Sequence, residues 1–255
     1  MTTQPTILLN EGEDANWIRL NRPAAMNAFD ETMLNQWNAA LNCIRDRSRP
    51  LVITGTGRAF CAGGDLKKYL KRLEDIDGLR RYFDLLEDVF MQIVDFPGPT
   101  IAAVNGVAVA GGLEAMCLCD LALAADSARL GDGHINYGMH PGGGSSATLS
   151  WLIGERRARW LILTGELISA AEAERIGLVN RVVPDADLES EIAQLARLLR
   201  KHSRPAILRT KRLMARDIRS VLRAEKDSIL DHFQDPETRL RLEGFARRSE
   251  LRKSL

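Results

Sequence analysis

Two glycine pairs, Gly63-Gly64 and Gly111-Gly112, stand just ahead of segments that read as helices. A residue without a β-carbon lets a ligand come close to its backbone N–H, and a helix N-terminus adds partial positive charge beside it. Two such N–H groups converging on one oxygen form an oxyanion hole. That device stabilises a carbonyl oxygen as it becomes an enolate or a tetrahedral oxyanion, and losing one donor costs roughly 10²–10³ in rate. The plainer reading of a glycine pair is a tight turn. Neither pair sits in a GxxxxGK[ST] or GxGxxG spacing, so these turns do not read as nucleotide-phosphate cradles.

The elements that must position these turns follow from apolar spacing. Residues 6–9 and 16–20 read as early strands, and Asp30 caps a helical pattern with Leu34, Trp37, Leu41 and Ile44 on one face. Residues 51–54 read as a strand ending in Gly55 and Gly57, and Asp65 is placed to cap a helix beginning at Leu66. A longer amphipathic helix over 77–95 stops at Phe96-Pro97-Gly98-Pro99, and residues 100–104 form the next strand. After the Asn105-Gly106 turn come a small apolar strand over 107–110, a buried helix over 113–119 and a strand over 121–124.

Strand, glycine turn and helix thus recur, which predicts an α/β coil of ββα turns, each burying its helix against stacked sheet. From Gly142 the pattern turns mainly helical, with helices expected over 145–153, 155–164, 170–176, 188–201, 204–221 and 236–252. The last is basic and amphipathic. Its Leu240, Leu242, Phe245 and Leu251 predict packing on its own core or on a neighbouring subunit. Arg247, Arg248, Arg252 and Lys253 read as a solvated face, with contact to a phosphate as the alternative.

The 255 residues are 45% hydrophobic and 27% charged, enough to bury one substantial core. Lys plus Arg (35) against Asp plus Glu (34) leaves a net charge of +1, which provides no field for a nucleic-acid backbone or an anionic membrane. No apolar run approaches ~18 residues and the N-terminus does not read as a leader, so no membrane partner and a cytoplasmic location are expected. Cys43, Cys61, Cys117 and Cys119 make no CxxC and have no histidine cluster beside them. They read as buried free thiols rather than a zinc or redox site.

The run Arg58-Ala59-Phe60-Cys61-Ala62-Gly63-Gly64-Asp65-Leu66, followed by 104–114 with its Asn105-Gly106 and Gly111-Gly112-Leu113-Glu114 and then Cys119-Asp120, resembles the enoyl-CoA hydratase/isomerase (crotonase) superfamily. Asn21-Arg22-Pro23, Asn27-Ala28, Pro141-Gly142, Leu163-Thr164-Gly165, Ala171-Glu172-Ala173, Gly177-Leu178-Val179 and Glu243-Gly244-Phe245 extend the resemblance over almost the whole chain. It implies a crotonase-like spiral of ββα turns over 1–200 that carries an acyl-CoA site. A helical C-terminal region over 201–255 would serve packing and oligomerisation, and the assembly would be a homotrimer or a hexamer of paired trimers.

The resemblance further implies that Gly64 and Gly111 donate the two N–H groups around a thioester carbonyl. Backbone near Ala24, Met26, Ala62, Asp65 and Leu66 would cradle coenzyme A, which enters as part of the substrate, with no prosthetic group and no metal. Glu114, in the first turn after Gly111-Gly112, matches the glutamate that activates water, and partial desolvation there would raise its pKa. Where hydratases carry a second, proton-donating glutamate, gapless alignment of 128–131 and Pro141-Gly142 places His134. Its ordinary pKa is about 6.5 against about 4.3 for glutamate. Asp132 and His140 lie close enough in sequence to supply or orient a proton instead, although each reads more simply as structural.

Three functions are thereby in view. The first is a lyase adding water to an enoyl-CoA or removing it. The second is a hydrolase cleaving a carbon–carbon bond of a β-dicarbonyl substrate, and the third an acyl-CoA-binding protein without turnover. Tyr69, Tyr82 and Phe83 belong to the stretch that would wall the acyl pocket, and a medium or ring-containing acyl group would suit them.

Overall fold

The computed structural model describes residues 4–251 and opens with a hairpin, Ile7–Glu11 (β1) paired antiparallel with Asn16–Leu20 (β2). Helix Glu31–Cys43 (α1) starts at Asp30, whose side chain accepts a hydrogen bond from Met33 N at 2.9 Å as the sequence predicts. Its Met33, Leu34, Trp37 and Leu41 are buried on one face, each contributing ~1.5–3 kcal/mol by leaving water.

Three turns of a spiral follow. In the first, Leu51–Gly55 (β3) and Ala59–Cys61 (β4) lead to Leu66–Leu70 (α2) and Ile76–Val94 (α3). In the second, Thr100–Val104 (β5) and Val107–Val109 (β6) lead to Gly111–Cys117 (α4). In the third, Leu121–Ala125 (β7) and Arg129–Gly131 (β8) lead through a 3-10 turn at His134–Tyr137 to Ser145–Ile153 (α5). The remaining elements are Glu155–Thr164 (α6), Ile168–Ser169 (β9), Ala170–Arg175 (α7), Arg181–Val183 (β10), Leu188–Arg200 (α8), Arg204–Met214 (α9), Ile218–His232 (α10) and Pro236–Leu251 (α11).

Each turn gives its first strand to a six-stranded sheet ordered β1-β2-β3-β5-β7-β10 and its second to a four-stranded sheet ordered β4-β6-β8-β9. Only the β1–β2 and β8–β9 pairs are antiparallel among the described residues. This is the ββα spiral expected from the recurring pattern. β3 and β5 are buried at every position because both faces of the large sheet are covered. Val52, Ile101, Ala103 and Leu123 face Leu188, Ile192 and Ala196 of α8, while the main core lies on the other side.

The structure corrects several expectations. The single helix expected over 204–221 is two, α9 and α10, because Ala215 leaves the helical region and Asp217 starts a new helix by accepting from Ser220 N at 3.2 Å. The 107–110 strand ends at Val109, since Ala110 takes a positive φ of 50°, and the next helix begins at Gly111 instead of 113. Asp65 occupies the N-cap position of α2 but makes no capping hydrogen bond; its carboxylate is drawn to Arg22 at 3.1 Å. All four cysteines are free, but only Cys61 is buried; Cys117 and Cys119 are half-buried and Cys43 is exposed on the last turn of α1, so the buried-thiol reading holds in full only at Cys61.

The C-terminal helices fold back on their own chain, α10 against α3 and α11 against α2. Leu242 of α11 is buried, Leu240 is exposed, and Arg247 pairs with Glu243 at 3.3 Å. The side chains of Arg248 and Leu251, and residues Arg252 and Lys253, lie outside the described residues.

Candidate active site

The first glycine turn is built against the N-terminal segment. Phe29 N donates to Gly63 O at 2.7 Å and Asp65 N to Phe29 O at 2.9 Å, a single parallel bridge that lays residues 62–65 alongside 26–29. Met26 and Asn27 both adopt left-handed backbone, with φ of 50° and 56°. Such strain persists only where the surroundings hold it. Asn27, fully buried, supplies that hold by accepting from Arg22 N and donating to Thr56 O and Ala59 O at 2.8–2.9 Å. Arg22 then bridges Asp30 and Asp65, each at 3.1 Å, and donates to Ala28 O.

The second turn is strained as well. Ala110, a non-glycine residue at φ 50° and ψ −125°, donates its N–H to Asp132 O at 2.8 Å and launches α4. The two turns press together: a β-carbon on Gly63 would lie 3.1 Å from Gly111 N, and one on Gly112 would lie 2.2 Å from Cys61 O. Neither Gly64 N nor Gly111 N donates to any acceptor among the described residues. Both line one cleft of about 650 Å³, together with Glu114 and His134. Ala24, Met26, Ala62, Asp65 and Leu66 line the same cleft. All nine residues singled out from the sequence therefore meet there.

Glu114, only 2% exposed, accepts through Oε1 from Gly143 N at 2.8 Å and Gly142 N at 3.3 Å. Burial drives its pKa up to about 7; the His134 charge pulls against burial, while Glu225 and Asp132 add to it. His134 sits in a loop turned by Gly133, and its Nδ1 lies 3.0 Å from Asp132 Oδ1. Its Nε2 has no partner among the described residues. Burial would lower the histidine's pKa, but the charge and hydrogen bond of Asp132, helped by Glu114 and Glu225, raise it to about 9. Asp132 is held below the usual carboxylate range despite burial, by His134 and by Ser145 Oγ at 2.5 Å. His140 is tied elsewhere, with Nδ1 2.7 Å from Pro141 O and Nε2 3.1 Å from Ser228 Oγ.

Tyr69, Tyr82 and Phe83 all line the cleft, a direction that spacing alone does not give. Tyr69 stacks on Phe83 at 5.9 Å between ring centroids and meets Phe233 edge-on at 5.5 Å. The sequence does not show the C-terminal contribution: Ile229 of α10, Phe233 just after that helix and Phe245 of α11 complete the wall. Glu225 was also missed. Ile218, Leu222, Glu225, Ile229 and Phe233 recur at three- and four-residue intervals, so an acid on the buried stripe of a helix was the available signal.

The cleft thus gathers two backbone N–H groups with no acceptor among the described residues, a buried carboxylate and an imidazole, groups of the kinds that polarise a carbonyl oxygen and move protons. The sequence profile of the enoyl-CoA hydratase/isomerase family matches residues 12–254, and the chain belongs to that family. It is 32% identical to a short-chain-enoyl-CoA hydratase of Clostridium acetobutylicum, covering 98% of each chain. It is 37% identical to a crotonyl-CoA hydratase of Syntrophomonas wolfei over 76% of each. Among solved structures, an enoyl-CoA hydratase/isomerase from Xanthobacter autotrophicus Py2 superposes with a TM-score of 0.88 at 30% identity, over 98% of this chain and 96% of that one. The spiral architecture is thus the crotonase fold, and no described helix is long and apolar enough to cross a membrane.

Proposed function

We propose that this protein adds water across the double bond of an enoyl-CoA, and removes it in reverse, through an enolate. The observation that carries the reading is the placement of a buried carboxylate, Glu114, and a histidine braced by Asp132, His134, in the same cleft as Gly64 and Gly111; burial pushes Glu114 up to about 7 and Asp132 raises His134 to about 9. At neutral pH the histidine is an imidazolium and a large share of the glutamate is a carboxylate, which is the acid and the base that hydration needs. The thioester oxygen accepts from Gly64 N and Gly111 N. Glu114 takes a proton from the water that attacks the β-carbon, Nε2 of His134 gives a proton to the α-carbon, and return of the proton from Glu114 to His134 through solvent restores both groups for the next turnover. Ala24, Met26, Ala62, Asp65 and Leu66 line the length of cleft left for coenzyme A, which enters as part of the substrate. Two relatives named for enoyl-CoA hydration support this reading.

A second reading has one observation in its favour. An imidazole oriented by a buried carboxylate, as His134 is by Asp132, suits removal of a proton from water, and so cleavage of a carbon–carbon bond in a β-dicarbonyl substrate. That role needs the neutral imidazole, and a pKa of about 9 disfavours it at neutral pH. A carrier without turnover has no use for two buried titratable groups in the cleft that binds its ligand.

The aromatic wall suits a medium or ring-containing acyl group. Exposed Trp160, Leu163 and Leu167 suit burial in a trimer or hexamer. A panel of acyl-CoA thioesters read by mass spectrometry tests the chemistry. Gain of water by an enoyl-CoA is expected; loss of a fragment from a β-dicarbonyl would select the hydrolase, and no change at all the carrier.

A further inference from the structure

We infer that Glu225 is a positioning residue for the Glu114 base: from α10 its carboxylate holds the glycine loop whose N–H groups hold Glu114. The inference rests on the catalytic reading of Glu114 given above. Glu225, 8% exposed, accepts through Oε2 from Gly144 N at 2.6 Å, through Oε1 from Ser146 N at 3.0 Å, and from the Ser146 hydroxyl. The two preceding residues, Gly142 and Gly143, donate in the other sense, to Glu114. Residues 142–146 are thus clamped between two buried carboxylates through nearly consecutive amides.

The loop leaves little slack. A β-carbon on Gly143 would lie 2.5 Å from Glu114 Oε2 and 2.7 Å from the Phe90 ring, and Gly144 sits at φ 105°. Ser145, between the clamped residues, donates its hydroxyl to Asp132, the carboxylate behind His134. One short stretch, the glycine turn and the start of α5, therefore sets the seat of the base and braces the partner of the acid. A buried carboxylate is costly to keep on an apolar helix face, and this one is offset by three donors, one from Gly144 and two from Ser146 in the first turn of α5. Misplacing a reacting group by ~1 Å costs on the order of 10²-fold in rate.

The charged groups facing Glu114 are His134 and Asp132 from the segment after β8 and Glu225 from α10; Cys61, Cys117 and Tyr69 face it as neutral groups. Removing the Glu225 charge takes away one of the two carboxylates that favour the protonated base, so the acidic limb of the pH–rate profile moves down.

The test compares the intact protein with E225Q and E225D. In E225Q, hydrogen–deuterium exchange should rise at residues 142–146 and not across the chain. With an enoyl-CoA, kcat should fall roughly ten- to a hundredfold while KM stays within about twofold, and the acidic limb should shift down. E225D keeps the charge and should return the limb toward its original place. Unchanged exchange and an unmoved limb in E225Q would overturn the inference. So would exchange raised throughout the chain with the limb unmoved, which describes a residue that serves only stability. If no acyl-CoA is turned over, the catalytic reading fails by itself; exchange at 142–146 and infrared titration of the Glu114 carboxyl in the same variants still decide whether Glu225 sets that group.

Discussion

Asp132 Oδ1 stands 3.0 Å from Nδ1 of His134, while its other oxygen accepts from Ser145 Oγ at 2.5 Å. A carboxylate with no solvent exposure is stable there only because donors surround it, and they turn the imidazole so that Nδ1–H points inward and Nε2 is left for the cleft. The contact also decides charge. Burial alone would make His134 neutral, yet the attraction of Asp132 wins and the ring stays protonated up to about 9. On the proposed reading, this protonated histidine is the acid of the reaction.

The pH dependence follows with a definite sign. With Glu114 as the proposed base, kcat should rise as pH climbs through about 7; with His134 as the proposed acid, it should fall as pH passes about 9. The two limbs belong to the interacting pair, not to either residue alone. A steady-state profile from pH 5 to 10 checks this, and a maximum well below 7 would contradict it.

Replacing Asp132 by Asn keeps the shape but removes the charge that holds the histidine protonated. The basic limb should then move down from about 9, and kcat should fall on the order of 10²–10⁴. If the basic limb stays in place, Asp132 does not govern His134.

Glu114→Gln keeps size and some hydrogen bonding but cannot take a proton, so kcat should drop on the order of 10²–10⁴ with substrate affinity little changed. His134→Gln should cost a similar factor, abolish the basic limb and shift the acidic limb up, because the imidazolium lowers the proton affinity of Glu114. Isothermal titration with a non-reactive acyl-CoA separates binding from chemistry in both variants.

Much of this site was legible because short-range patterns carry it. Gly63-Gly64 and Gly111-Gly112 are read from their neighbours alone as standing just ahead of helices; the first pair does precede α2, and the second forms the first two residues of α4. Glu114 follows from its place in the first turn of α4. What stayed hidden depends on contacts between distant segments. Asp65 reads as a cap until Arg22, brought across by the Phe29–Gly64 bridge, takes its carboxylate. Asp132 reads as a bystander until the loop after β8 folds it under His134. Glu225 was visible as an acid on an apolar stripe, but its target, Gly144 and Ser146, is set by how α10 packs and by no local spacing. The break between α9 and α10 escaped because the helical pattern of residues runs through it.

Trp160 and Leu163 of α6 are 61% and 69% exposed, and Leu167 follows at 44%. Placing a charge there by Trp160→Glu should dissociate a trimer or hexamer, read as a fall in mass by light scattering at micromolar concentration. Intact protein that is already a monomer would refute the assembly.

The two free N–H groups can be tested separately from space. A β-carbon on Gly111 would meet the Phe29 ring at 3.2 Å and Gly63 Cα at 3.4 Å, a crowding that a small shift relieves. Gly111→Ala therefore keeps the donor at a modest steric cost. Gly111→Pro sits at the first position of α4, where proline suits a helix, and removes the N–H. The alanine variant should retain turnover within about tenfold, whereas the proline variant should lose on the order of 10²–10³ with a milder loss of coenzyme A affinity. Gly64 is the poorer place to ask, since a β-carbon there would lie 1.9 Å from the Tyr69 hydroxyl and any substitution also displaces that ring. Circular dichroism confirms that each variant folds. Equal losses in the two Gly111 variants would mean that Gly111 contributes room and not a hydrogen bond, leaving a developing oxyanion with Gly64 as its one backbone donor.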